Sequence, residues 1–368
     1  MAYLTLNRDK LAHNYRQLEN IFASHGINWG VVSKLLCGND AYLSEVLALN
    51  PAEVLDSRIS NLAKVKSLRA DVRTVYIKPP AKRSIADVVR YADVSFNTEL
   101  STIEALNEEA QHQGKHHKII VMVEMGDLRE GIMHADIEHF FGPVFELGNI
   151  EVVGIGTNLN CLSGVLPSKE ALTQLSSYQH VIQDTYGVAL PLVSGGTSVT
   201  LPLLTEGDVP HEVNHFRIGE TLYFGNDLIN NTPLDIFYQD VIELHAEVIE
   251  VATKPMTPTG PLGTNPQGKQ ATVSSDRETS TRVIIDIGVL DIQPDYLTPE
   301  DDSLTLLDAS SDMMVLDAKD NEAGLKVGDV VTFELKYMGA LHLMNSSYID
   351  KYVIGNGLDV TFDTAVVA

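Results

Sequence analysis

Gly30-Val31-Val32-Ser33-Lys34-Leu35-Leu36 is a nearly continuous apolar run with one charge set into it. Runs of the same kind recur at fairly even spacing: Glu53-Val54-Leu55-Asp56, Thr74-Val75-Tyr76-Ile77, Ala92-Asp93-Val94-Ser95-Phe96, Lys118 to Val123, Glu151 to Thr157, Leu190 to Val193 and His215-Phe216-Arg217-Ile218. Such short, apolar, β-branched segments read as strands buried on both faces. Helical spacing fills the gaps. Leu100, Ile103 and Leu106 follow Thr98, the predicted N-cap. Leu172, Leu175, Tyr178 and Ile182 make a stripe between Ser168 and Tyr186, and Gly187 stands where a C-cap glycine belongs. Eight strands alternating with helices over about 220 residues predict an α/β fold, a (β/α)8 TIM-like barrel. A doubly wound open sheet gives the same alternation and is the rival.

The pattern changes after Asp235. Val241 to Val251 alternates as a strand does. Thr253 to Ser280 is rich in Pro, Gly, Thr and Ser and reads as an excursion from the core. Arg282–Ile287, Leu304–Leu307, Met313–Leu316 and Val330–Leu335 are predicted strands, with Val327-Gly328-Asp329 as a turn. The expected organisation is a barrel over 7–235 and a C-terminal all-β domain over 236–368, with residues 1–6 free to pair with the second domain.

The chain has 368 residues, with 26 Lys and Arg against 50 Asp and Glu, a formal net charge of −24. That balance argues against nucleic acid, which requires a basic footprint, and against docking on anionic lipid. It favours the approach of small cationic substrates. Two cysteines cannot staple a chain of this length, which points to a reducing compartment. No signal-peptide pattern and no apolar run of about 18 residues is evident. The expectation is a soluble cytoplasmic protein.

Barrels place their chemistry at the C-terminal ends of the strands. There Lys34 either snorkels to solvent or serves as a nucleophilic amine held in low dielectric. Ser194-Gly195-Gly196-Thr197-Ser198 is either an ordinary strand–helix turn or a phosphate cradle of backbone N–H groups and hydroxyls. Taken together, an amine and a phosphate loop point to pyridoxal 5′-phosphate. His211-Glu212-Val213-Asn214-His215 matches a zinc-protease motif in letters only. Pro210 precedes it and a strand-like run follows, whereas the motif works on a helix. No metal is expected. His116-His117 reads as a solvated loop. Cys37 and Cys161 are either small buried hydrophobes or an acid–base thiol pair.

Six motifs in register resemble the alanine racemase family of fold-type III pyridoxal-phosphate enzymes, with its ornithine racemase branch nearest. They are Val31-Val32-Ser33-Lys34, Asp56-Ser57-Arg58, Gly126 to Gly131, Gly154 to Leu159, Ser194-Gly195-Gly196 and Arg217-Ile218-Gly219-Glu220. The resemblance implies Lys34 as the Schiff-base lysine, Arg129 near the cofactor's phenolic oxygen and substrate carboxylate, and Arg217 facing the pyridine nitrogen. It implies Asn158 beside the ring, where alanine racemase has histidine. Cofactor contacts fall on Ser194, Gly195, Ser198, Gly219, Glu220 and Tyr348. It also implies a homodimer with shared active sites, each second domain capping the partner's barrel. The family's catalytic tyrosine position holds Val289, which moves no proton. Asp291, Asp312 and Cys161 are the candidates for the second base, and Asp312 matches a family aspartate across the interface.

The leading expectation is a racemase of a basic amino acid, such as ornithine or lysine, rather than alanine. The alternatives are a pyridoxal-phosphate lyase like D-threonine aldolase or a decarboxylase, a non-catalytic cofactor carrier, and a cofactor-independent two-thiol racemase.

Overall fold

Strands buried on both faces need a covered sheet, and a sheet of eight such strands can remove its edges by closing. The computed structural model describes residues 2–264, 268 and 277–355. Within it, Arg8–Gln239 forms one unit, and the residues up to Asn7 join those from Asp240 onward in a second.

The first unit is an eight-stave parallel barrel. Its strands are Asn28–Val32, Glu53–Asp56, Arg73–Tyr76, Val94–Asn97, His117–Met122, Ile150–Gly156, a seventh in two pieces, and His215–Ile218. Each pairs with the next in parallel register. The seventh breaks at Gly195: Leu192–Ser194 pairs with strand six, and Gly196–Thr197 pairs with strand eight. Strand eight returns to strand one, with Arg217 opposite Gly30. That last pairing rules out the open-sheet rival. Closure depends on a missing side chain, because a Cβ on Gly196 would lie 2.2 Å from the Phe216 ring.

Inside this unit, Val32, Leu55, Val75, Val94, Phe96, Ile120, Met122 and Val153 form one buried cluster drawn from strands one to six. Strands seven and eight add none of its fully buried members. They supply the buried polar side chains Ser194, His215 and Arg217 instead.

Local signals placed the helices unevenly. Ser168 caps Lys169–Tyr186 by accepting from the Ala171 N–H at 3.2 Å, and Gly187 ends it at φ 64°. The helix expected from Thr98 starts at Leu100 instead, after an extended Glu99 that makes no side-chain cap. His117 is not in a solvated loop. It opens strand five, is buried, and shares a hydrogen bond of 2.8 Å with Ser95 Oγ.

In the second unit, Ile242–Pro255 pairs antiparallel with Thr279–Ile285, Val330–Leu335 and the N-terminal strand Tyr3–Asn7. Tyr3–Asn7 also pairs in parallel with Asp350–Ile354. Thr253–Pro255 and Thr279–Ser280 are therefore ladder residues, not part of an excursion. Of that stretch, 265–267 and 269–276 lie outside the described residues. The unit is the expected β domain, built on an antiparallel sheet, and it also carries one helix the sequence did not mark, Tyr337–Asn345, burying Gly339, Ala340, Leu343 and Met344. Among the described residues, no helix is long and apolar enough to cross a membrane.

Two stability outcomes follow. Gly196→Val forces a branched side chain into the Phe216 ring, and should cost about 3 kcal/mol in urea unfolding; an unchanged midpoint would refute this account of closure. Burial, helped by the Lys115 ammonium, pulls His117 down to about 4, below the unfolded value near 6.5. The unfolded chain then binds the proton more readily, so this contribution is whole above about pH 6.5 and is lost as pH falls toward 4. It amounts to about 3 kcal/mol. His117→Gln should flatten the acid limb of a stability–pH curve over that window.

Candidate active site

Strand one stops at Val32, and Lys34 opens the tight turn Lys34–Leu36. The lysine therefore leaves the strand at the barrel mouth, half-buried. What fixes the turn is Asp56, at the end of strand two and fully buried. Its carboxylate accepts from Ser33 Oγ at 2.8 Å, the Arg58 N–H at 2.8 Å and Asn61 Nδ2 at 3.2 Å. Burial raises the Asp56 carboxyl, while these bonds and the Lys34 ammonium oppose the rise. The same ammonium acts on Glu220, which burial pushes up to about 7. Glu220 stands where it would be part-protonated at neutral pH.

Arg217, on strand eight, is 5% exposed. Nη1 donates to the Ser194 carbonyl at 2.7 Å and to Ser194 Oγ at 2.6 Å. Nη2 donates to the Thr157 carbonyl at 2.7 Å and reaches Asn158 Oδ1 at 3.5 Å. The guanidinium lies 5.4 Å from the Phe96 ring centre. Burial lowers Arg217 to about 10, so it stays cationic at neutral pH.

Ser198 Oγ meets the N–H groups of Gly219 and Thr221, each at 3.3 Å. Three buried polar atoms nearby in sequence, Thr157 Oγ1, Asn158 Nδ2 and Thr221 Oγ1, have no hydrogen-bond partner among the described residues. Buried polar atoms are normally satisfied, so these are places where a bound polar group fits. Gly195 does not join them. It sits at the strand break, where a Cβ would be 3.1 Å from Leu172 and 3.2 Å from Val213, on the helix-covered side. Ser194 Oγ is likewise taken, by Arg217 and by His215 Nδ1 at 2.7 Å. It acts on the site through the arginine.

Two carboxylates order the loops after strands five and six: Glu124 folds the first loop on itself, and Asp127 joins it to the second. Glu124 accepts the N–H groups of Gly126, Leu128 and Arg129. Asp127, 1% exposed, accepts those of Cys161, Leu162, Ser163 and Val165 at 2.9 to 3.4 Å. Burial raises Asp127, but these donors outweigh it and hold it below the usual carboxylate range. Arg129 is exposed and forks onto Glu130. Glu130 and Arg129 act electrostatically on Arg217. Cys37 lies half-buried at the end of the Lys34 turn, with φ 49°.

Residues 6–227 match the family described as alanine racemase, N-terminal domain. The chain belongs to the alanine racemase family. It is 34% identical to ornithine racemase from Acetoanaerobium sticklandii over 352 residues, covering 95% of this chain and 99% of the relative. It is 29% identical to lysine racemase from Thermotoga maritima over 348 residues, covering 95% and 97%. The solved alanine racemase from Bartonella henselae with covalently bound pyridoxal phosphate superposes with a TM-score of 0.71 at 16% identity, covering 96% of this chain and 99% of that one. That last likeness speaks for the fold.

The second unit holds Val289, Asp291, Asp312 and Tyr348. Val289, Asp291 and Tyr348 line one pocket of about 480 Å³. Asp291 accepts from Ser346 Oγ at 2.6 Å. The Ser311–Asp312 backbone lies against Gly288, where a Cβ would be 2.3 Å from the Ser311 carbonyl. Tyr348 and Asp312 are exposed. The zinc-like stretch is a turn followed by strand eight.

The buried hydrogen bond between Glu53 and His215 was not legible in the sequence. The available signal was a titratable residue at the start of an otherwise apolar barrel strand. Asp127→Ala should leave four N–H groups without their acceptor and cost about 3 kcal/mol. Hydrogen exchange should then quicken at Cys161–Val165 while the barrel strands stay protected. Unchanged exchange there would show that Asp127 does not hold the loop.

Proposed function

We propose that the protein is a pyridoxal 5′-phosphate-dependent amino-acid racemase acting on a basic amino acid such as ornithine or lysine. The observation that carries this reading is the placement of Lys34, in the turn that follows strand one, and Arg217, on the adjacent strand eight, with the Ser198–Gly219 hydrogen bond and the unsatisfied Thr157, Asn158 and Thr221 atoms. The ornithine and lysine racemases among its relatives support the substrate class, and the acidic chain favours a cationic substrate.

The residues fit the cofactor. Lys34 would hold it covalently, Arg217 would face its ring nitrogen, and Ser198 with the Gly219 and Glu220 backbone would hold its phosphate. When bound, pyridoxal phosphate supplies an electron-withdrawing ring that acidifies the substrate Cα proton. Lys34 takes or returns that proton on one face. Arg217 donates hydrogen bonds but gives up no proton at neutral pH, so facing a ring nitrogen it would leave that nitrogen unprotonated, which would weaken the ring as an electron sink and limit side reactions. Arg129 orients the substrate carboxylate.

The opposite face needs a second proton carrier. On the barrel this is Cys161; from the second unit it is Asp291 or Asp312. We extend the proposal to a C2 homodimer with shared active sites, in which the second-unit residues, with Tyr348, serve the partner's barrel. The exposed Tyr348 and Leu290 on the rim of their pocket support this. Two cysteines outside any disulfide suit a reducing, cytoplasmic setting.

Incubation of the loaded enzyme with single enantiomers of ornithine, lysine and alanine should interconvert the basic pair fastest. Lys34→Ala should lower the rate by about a hundredfold to ten-thousandfold and abolish the visible absorbance of the lysine-bound cofactor. No loss of optical activity with any amino acid would overturn the reading.

A further inference from the structure

We infer that Ser194, His215 and Glu53 form a hydrogen-bonded column inside the barrel that positions Arg217 and supplies its counter-charge, making Glu53 and His215 positioning residues for the reaction. The inference rests on the function proposed above.

Arg217 is a buried cation whose hydrogen-bond partners, Ser194, Thr157 and Asn158, are all neutral. A buried charge left at that costs several kcal/mol. The nearest hydrogen-bonded route to an anion runs through Ser194. Arginine only donates, so Ser194 Oγ accepts from Nη1 and has its own proton for His215 Nδ1 at 2.7 Å. Nδ1 is then the acceptor, and His215 Nε2–H donates to Glu53 Oε1. These donor and acceptor roles follow from the partners' chemistry. Ser194 is 0%, His215 3% and Glu53 6% exposed, so water does not interrupt the column.

The topology explains why these residues meet. Glu53 begins strand two, His215 begins strand eight, and Ser194 ends the first half of strand seven. His215 and Arg217 are two apart on one strand and share a face. The column therefore runs from the strand starts toward the mouth. At its foot, Arg73 Nε lies 3.6 Å from Glu53 Oε2. Burial raises Glu53, but His215, Arg73 and Arg217 together hold it below its ordinary value. The column thus ends in a carboxylate, and Arg217 and Glu53 act on each other electrostatically across it. In a dry interior, each polarised bond strengthens the next.

A serine, histidine and glutamate in this order invite comparison with a hydrolase triad. Here the serine hydroxyl is buried and already accepts from a guanidinium, so it is no nucleophile. Its place under Arg217 makes it a joint.

The test compares wild type with Glu53→Gln and Ser194→Ala; the second leaves the His215–Glu53 pair intact should the first fold poorly. In protein without cofactor, ¹⁵N NMR reads exchange of the Arg217 guanidinium protons. Both variants should speed it by about tenfold, the loss of roughly one hydrogen bond. In protein loaded with ring-¹⁵N pyridoxal phosphate, both should shift the ring-nitrogen signal and lower kcat more than they raise KM. The double variant should be no worse than the worse single one, because a column breaks once. Unchanged guanidinium exchange, an unmoved ring-nitrogen signal, or effects that simply multiply would each overturn the inference and leave Glu53–His215 as a structural pair. Failure of wild type to bind the cofactor would instead overturn the proposed function, and guanidinium exchange alone would then decide whether the column exists.

Discussion

The guanidinium of Arg217, buried and held by the carbonyls of Ser194 and Thr157, ties strands six, seven and eight together at the barrel mouth. Those carbonyls lie where strand seven breaks and strand six ends, and a break at Gly195 is what lets strand seven pair on both sides. One cation thus occupies the point where the ring of strands closes. The charges of Glu130, Arg129 and Glu53 all act on it. An arginine suits the place because it stays charged after burial and donates in several fixed directions.

This arrangement divides the barrel interior. Strands one to six fill their share with a continuous apolar cluster, which gives the unit its stability. Strands seven and eight, joined by Glu53, fill theirs with a polar column that is satisfied from residue to residue. The two parts need each other. An apolar wall keeps the column dry and so strengthens its bonds, and without the column a buried guanidinium would weaken the wall. Lys34 stands at the seam: its strand packs against strand eight, and its turn is held by Asp56 from strand two.

The barrel was legible in the sequence because doubly buried strands write themselves as unbroken apolar runs, and eight such runs fix the count. Closure was not legible, because it depends on one strand pairing with two neighbours at a glycine break. Ser168 and Gly187 marked a helix correctly, since capping chemistry is local; Thr98 did not, because the chain there stays extended through Glu99. His117 looked solvated from its Lys and Gln neighbours, yet it starts a strand and finds Ser95. Tyr337–Asn345 was hidden because nine residues hold too few helical periods. Lys34 and Arg217 stood out as charges within apolar runs. Glu53 and His215 carried the same mark, but His215 drew attention only through a metal motif that needs a helix.

In the proposed function, Lys34 and Arg217 face one bound group, joined to the protein through the Lys34 amine. Borohydride reduction of the protein loaded with pyridoxal 5′-phosphate, followed by peptide mass spectrometry, tests it most directly. The expected product is a phosphopyridoxyl adduct on Lys34. An adduct confined to other lysines, or none at all, would contradict it.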